Sequence, residues 1–156
     1  MPASSEMRSA SGFTLVELMV VLVVFAMLVT AALPSYNDFV RNQRVKTASF
    51  EIFSSLVLAR SEALTRNASA TVVPASGTTN WSAGWQVSAG GTVLRSQDAF
   101  QSISISGPTS LTYNGSGRLS APATGIEITA SGGASITTRC ITVDLSGRPV
   151  TKAASC

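Results

Sequence analysis

Glu17 is a carboxylate in a stretch that otherwise avoids water. From Phe13 to Leu33 only Thr14, Glu17 and Thr30 carry polar side chains, and about 20 such residues make a helix that can cross a bilayer core. An acidic side chain at the centre of such a helix costs roughly 2.5–3.5 kcal/mol on insertion scales. Glu17 lies nearer the end and costs less, but it still calls for a role. Other chemistry-bearing residues are few. The chain has no histidine, which removes the commonest general base, the commonest zinc ligand and every Ser–His or Cys–His pair. No acidic cluster replaces it, so the chain reads as a non-enzyme without metal or cofactor. Cys140 and Cys156 make at most half a zinc site and read instead as a disulfide. Such a bond contributes about 3 kcal/mol in the chain-entropy model and belongs in an oxidising compartment. Ser-Gly-Arg occurs twice, at 116–118 and 146–148. Glycine there suits the left-handed position of a hairpin bulge, and the arginine opens the returning strand.

The elements that must position these residues follow from pattern. Hydrophobic residues make up 45% of the 156-residue chain and charged ones only 12%, low for a soluble protein. The apolar run and a second half rich in Ser, Thr, Ala and Gly account for the shortage. After Pro34, which is expected to kink the helix or begin a new turn, helical periodicity resumes. Phe50, Phe53, Val57 and Leu64 recur at spacings of three, four and seven, and Val45, Ile52, Leu56, Ala59 and Ala63 widen that apolar face. Arg41, Arg44, Glu51, Arg60, Glu62 and Arg66 are assigned mostly to the opposite side. The expectation is one nearly continuous helix from Phe13 to about Arg66, apolar all round in its first half and amphipathic in its second.

From Asn67 the period changes to that of short strands. They are expected at Ala70–Val73, Gly84–Ser88, Thr92–Arg95, Ser102–Ser106, Ser110–Tyr113, Gly125–Thr129, Arg139–Val143 and Arg148–Thr151. Gly90-Gly91, Asn114-Gly115, Gly132-Gly133 and Ser146-Gly147 mark turns between them. The fold class is therefore α+β: a long helix whose amphipathic half packs on an antiparallel meander or small sandwich, with Trp81, Trp85 and Phe100 as bulky core. The domain boundaries are 1–12, a polar leader; 13–34, the transmembrane helix; 35–67, its amphipathic continuation; and 68–156, the β-rich domain with a C-terminal disulfide loop.

Net charge is +3, mostly from basic residues after the apolar run. That permits contact with nucleic acid or acidic lipid without demanding it. Arg41, Arg44 and Lys46 against Arg8 alone would place the C-terminal side in the cytoplasm by the positive-inside rule. The disulfide argues the opposite, and the motif that follows supports the disulfide.

Gly12-Phe13-Thr14-Leu15-Val16-Glu17 at the head of an apolar helix resembles the N-terminus of type IV pilins and type II secretion pseudopilins. The resemblance implies that prepilin peptidase cuts between Gly12 and Phe13 and that Phe13 is N-methylated. It makes Glu17 the fifth mature residue and puts Pro34 where many pilins have a helix-bending proline. Glu17 would then pair with the new amine of a neighbouring subunit, since an unpaired buried charge costs several kcal/mol. Further along, Ala59–Asn67, Asn80–Val87, Leu94-Arg95, Asn114–Arg118 and Cys140–Arg148 look like the GspH/FimT family of minor pilins and pseudopilins, including FimU-type subunits. That resemblance implies other minor and major pilins or pseudopilins as partners. It implies a single pass through the bacterial inner membrane with the C-terminal domain in the periplasm, and a place at the pilus or pseudopilus tip. Three functions follow from it: a structural minor pilin of the tip or priming complex, a DNA-binding minor pilin for natural transformation, and a type II secretion minor pseudopilin. Some family members bind DNA through a Gly-Arg-x-Arg loop. Here the stretch reads Gly147-Arg148-Pro149-Val150, so the second arginine is missing. Lys152 and Arg118 join Arg148 as the possible phosphate contacts, which would bind weakly and in a salt-sensitive way.

Overall fold

The computed structural model describes residues 12–130 and 136–156, and of residues 31–35 the backbone alone. The polar leader to residue 11 and the Gly132-Gly133 turn lie outside the described residues. One helix and eight strands follow in order: α1 Leu15–Arg66, β1 Ala70–Pro74, β2 Trp85–Ala89, β3 Thr92–Gln97, β4 Ser104–Ser106, β5 Leu111–Tyr113, β6 Ile126–Thr129, β7 Arg139–Val143 and β8 Pro149–Lys152. Two compact units divide the chain after Asn37.

In the first unit α1 opens at Thr14, whose hydroxyl oxygen accepts from the Glu17 backbone N–H at 3.2 Å. A threonine followed three residues later by glutamate is a capping-box pattern. Phe13 and the apolar side chains from Leu15 to Val29 are exposed. Helical backbone continues across Pro34, so this proline does not end the helix or start a new one. Among the described residues no helix is long and apolar enough to cross a membrane. The described side chains of the run stop at Thr30, and residues 31–33, which complete it in sequence, lie beyond them.

The second unit carries the rest of α1 and both sheets. Asn67 ends α1 in the left-handed conformation, φ 47°. Its N–H reaches the Leu64 carbonyl and the Ala68 N–H reaches that of Ala63, a Schellman closure that satisfies two terminal carbonyls. The strands form two antiparallel four-stranded sheets, ordered β3-β2-β1-β5 and β4-β6-β7-β8. Ser102 takes a positive φ of 63°, which is why β4 starts at Ser104 rather than at the expected Ser102.

The helix face that meets the sheets differs from the one its large residues suggest. Val45, Ala48, Ile52, Leu56, Ala59 and Ala63 are fully buried, whereas Phe50 is 68% exposed and Val57 and Leu64 are also exposed. Phe53 is half-buried. Small residues on the inner stripe let the sheets approach closely, and the volume is filled from the sheet side by the buried Trp81 and Trp85. Phe100, only partly buried, stacks on Trp85 with ring centroids 5.7 Å apart. Both indole N–H groups are satisfied as buried donors require: Trp81 donates to the Pro108 carbonyl at 2.8 Å and Trp85 to the Ser55 hydroxyl at 2.9 Å.

Candidate functional site

The two Ser-Gly-Arg segments turn out to be copies of one turn. Asn114 and Asp144 stand two residues before each serine, and each uses a side-chain oxygen to organise the loop that follows. Asn114 Oδ1 accepts from the Ser116 N–H, the Ser116 hydroxyl and the Arg118 N–H. Asp144 Oδ1 accepts from the Ser146 hydroxyl and the Arg148 N–H. In each copy the glycine N–H returns to the carbonyl of the Asn or Asp, and that residue's N–H bonds the arginine carbonyl. Gly117 and Gly147 have φ of 70° and 81°, the region where only glycine is unstrained. These bonds to Ser146 and Arg148 hold the Asp144 carboxyl below the usual carboxylate range.

Tertiary packing joins the two turns. A Cβ on Gly147 would collide with the Gly117 carbonyl oxygen, and one on Gly117 would press on Leu64 of α1. Arg60 reaches from α1 to both turns, donating from Nε to the Gly117 carbonyl at 3.0 Å and from a terminal nitrogen to the Ser146 carbonyl at 3.2 Å. Beneath them Tyr113 is fully buried, and its hydroxyl has no hydrogen-bond partner among the described residues. Burial pushes its pKa up to about 12, with Arg60 opposing and Asp144 reinforcing the shift. Arg118 and Arg148 project from the joined turns into solvent. Arg148 lies 3.6 Å from Asp144 in an exposed ion pair, a contact of little energetic weight.

The expected site residues fall in separate places. Gly12, Phe13 and Glu17 are exposed at the start of α1. Pro34 is helical, its side chain outside the described residues. Cys140 and Cys156 are bonded, with Cα atoms 5.1 Å apart. The Cys156 N–H also donates to Glu127 at 3.0 Å. Lys152 is exposed on β8, opposite Cys140. The turns that carry Arg118 and Arg148 meet only through tertiary packing.

The helix charges assigned to the outer side need correction. Glu51 pairs with Arg95 of β3, Arg44 bonds the Gln101 carbonyl at 3.4 Å, and Arg60 holds the two turns. They flank the narrow inner stripe, and their length lets them curl onto the sheets. The full five-residue repeat, Asn or Asp then x-Ser-Gly-Arg, was the sequence signal for the joined turns. Nothing local marked Arg60.

The family described as Type II transport protein GspH matches residues 48–147, and the prokaryotic N-terminal methylation motif matches residues 7–33. No curated protein matches the chain. Crystal structures of the type IV minor pilin FimU of Pseudomonas aeruginosa (strain PAO1) share the fold in two crystal forms. One covers 73% of this chain and 92% of its own at TM-score 0.59, the other 69% and 91% at 0.56, each at 22% identity. The chain therefore belongs to the GspH family of pilin-like structural subunits, which are not enzymes, and carries the family's N-terminal methylation motif.

Proposed function

We propose that this protein is a minor pilin, a structural subunit of the tip or priming complex in type IV pilus assembly. Residues 13–34 anchor it in the bacterial inner membrane with residues 68–156 in the periplasm. Prepilin peptidase removes residues 1–12, and Phe13 becomes the methylated N-terminus. The observation that carries this reading is the exposed apolar start of α1, bearing the single carboxylate of Glu17. In a bundle of such helices a charge pair has one satisfied axial register, so Glu17 and a neighbour's Phe13 amine set the stagger between subunits. Pro34 adjusts the path of the helix in the filament. The disulfide loop and the FimU fold support the pilus over the alternative of a type II secretion minor pseudopilin, to which the family description also points.

Glu17 also occupies the third position of a capped helix, so the test must separate cap from charge. Glu17→Gln keeps the shape and removes the charge. The expected result is normal membrane insertion with loss from sheared filaments. Normal incorporation of Glu17→Gln would overturn the pairing.

A second reading, DNA binding for natural transformation, is supported by the adjacency of the Arg118 and Arg148 turns. It predicts that the full chain in detergent binds duplex DNA weakly and in a salt-sensitive way, with affinity falling in Arg148→Ala. Absence of binding at low salt leaves filament assembly alone.

A further inference from the structure

β8 is the outermost strand of its sheet, and no described strand pairs with its outer side. Its backbone directions follow from the turn before it. The Asp144 N–H bonds the Arg148 carbonyl, and bonded and non-bonded pairs alternate along an antiparallel ladder. Thr142–Val150 and Cys140–Lys152 are then the bonded pairs, given the observed register. Pro149 and Thr151 point their backbone groups away from β7. Proline at the first of these positions fits, because no N–H is needed there. Among the described residues nothing bonds the Thr151 N–H or the carbonyls of Pro149 and Thr151, which can meet an incoming strand.

Beside that edge lies a groove of about 280 Å³ between β8 and α1. Ser49, Phe50 and Phe53 of α1 line it together with Lys46, Arg139 and Thr151, with no acidic residue among them. Thr151 shares a sheet face with the buried Ile141, so its side chain stands toward α1. The disulfide carries the C-terminal tail the other way, across β7 toward Glu127 of β6 and away from this side of β8. Phe50 is the most exposed phenylalanine of the second unit.

We propose that this groove binds an extended, acidic segment of a partner protein, which adds to β8 as a short strand. Main-chain bonds to Thr151 and Pro149 give it register. Alternate side chains of the incoming strand face the groove, one apolar group over Phe50 and Phe53 and a carboxylate toward Lys46 and Arg139. Because Pro149 supplies no donor, the added strand is short and centred on Thr151.

The test uses the full chain in detergent and the capped peptide Glu-Thr-Val-Thr-Glu as probe, whose two glutamates and valine share one strand face. Saturable binding is expected, with slowed hydrogen exchange at the Thr151 amide. Thr151→Pro removes the outward donor without removing a bond to β7, and affinity should fall about tenfold, as loss of one hydrogen bond implies. Lys46→Glu with Arg139→Glu should abolish binding, and Lys-Thr-Val-Thr-Lys should not bind. Should Thr151→Pro disturb the strand, two versions of the peptide N-methylated at alternate amides test its donation to the Pro149 and Thr151 carbonyls, and only one should lose binding. No saturable binding of the acidic peptide, equal loss from both methylated versions, or equal binding by the lysine peptide would overturn the proposal.

Discussion

At the residue scale, the joined turns rest on an unusual element of cost. The Tyr113 hydroxyl is buried without a partner among the described residues, and an unsatisfied buried polar group costs about 1–3 kcal/mol. Tyr113→Phe keeps the ring packing and removes the orphan, so a gain of about 1 kcal/mol is expected, read as a higher melting temperature at neutral pH. The pH dependence has a definite sign. The folded pKa is about 12 against an ordinary 10.0, so the fold favours the protonated phenol. The Tyr113 contribution is complete below pH 10 and is lost as pH rises through about 12. The variant should therefore show a shallower alkaline decline, and melting curves that fall equally in both proteins would contradict this account. Glu17 is also a matter of this scale: its type and place in an apolar run were visible in the sequence, and Thr14 as its capping partner was present three residues away. Asp144 follows the opposite rule to Tyr113. Its pKa is lowered by the Ser146 hydroxyl and the Arg148 N–H, so those bonds persist until pH falls below the ordinary carboxylate range.

At the scale of elements, periodicity located the strands but misjudged one helix face. All eight strands lie within two residues of their expected spans, because β-branched runs and Gly or Asn turn signals are local properties. The buried face of α1 is not local. Two apolar stripes compete along residues 45–64, and the one with larger side chains stays largely outside while Ala48, Ala59 and Ala63 go in. Only the shape of the sheets, with two indoles already filling the interface, selects the small-residue stripe. The disulfide acts at this scale too, fastening the tail after β8 to β7 over a separation of 16 residues. Cys156→Ser should cost about 3 kcal/mol in the chain-entropy model. Thermal unfolding of the variant, compared with the oxidised wild type, checks it, and an unchanged melting temperature would show that the tail is held by other contacts.

At the scale of the whole molecule, the division of labour runs along the chain. The N-terminal motif, the apolar run and the lone carboxylate are contiguous in sequence, so the family and its methylation motif were legible without coordinates, and the matches at residues 7–33 and 48–147 agree. The class of fold was legible as well, since a change of period from helix to strand at Asn67 occurs along the backbone itself. Which strand borders which was not, because β1 passes between β2 and β5 and β4 joins β6 across intervening segments. Neither was the joining of residues 114–118 with 144–148 through Arg60, whose partners lie 57 and 86 positions away. What the sequence determined by itself is what neighbouring residues can enforce: period, caps, turns and the chemistry of one contiguous motif. The open edge of β8, the paired arginine turns and the exposed phenylalanines of α1 depend on long-range packing, where burial of one surface decides which others remain free.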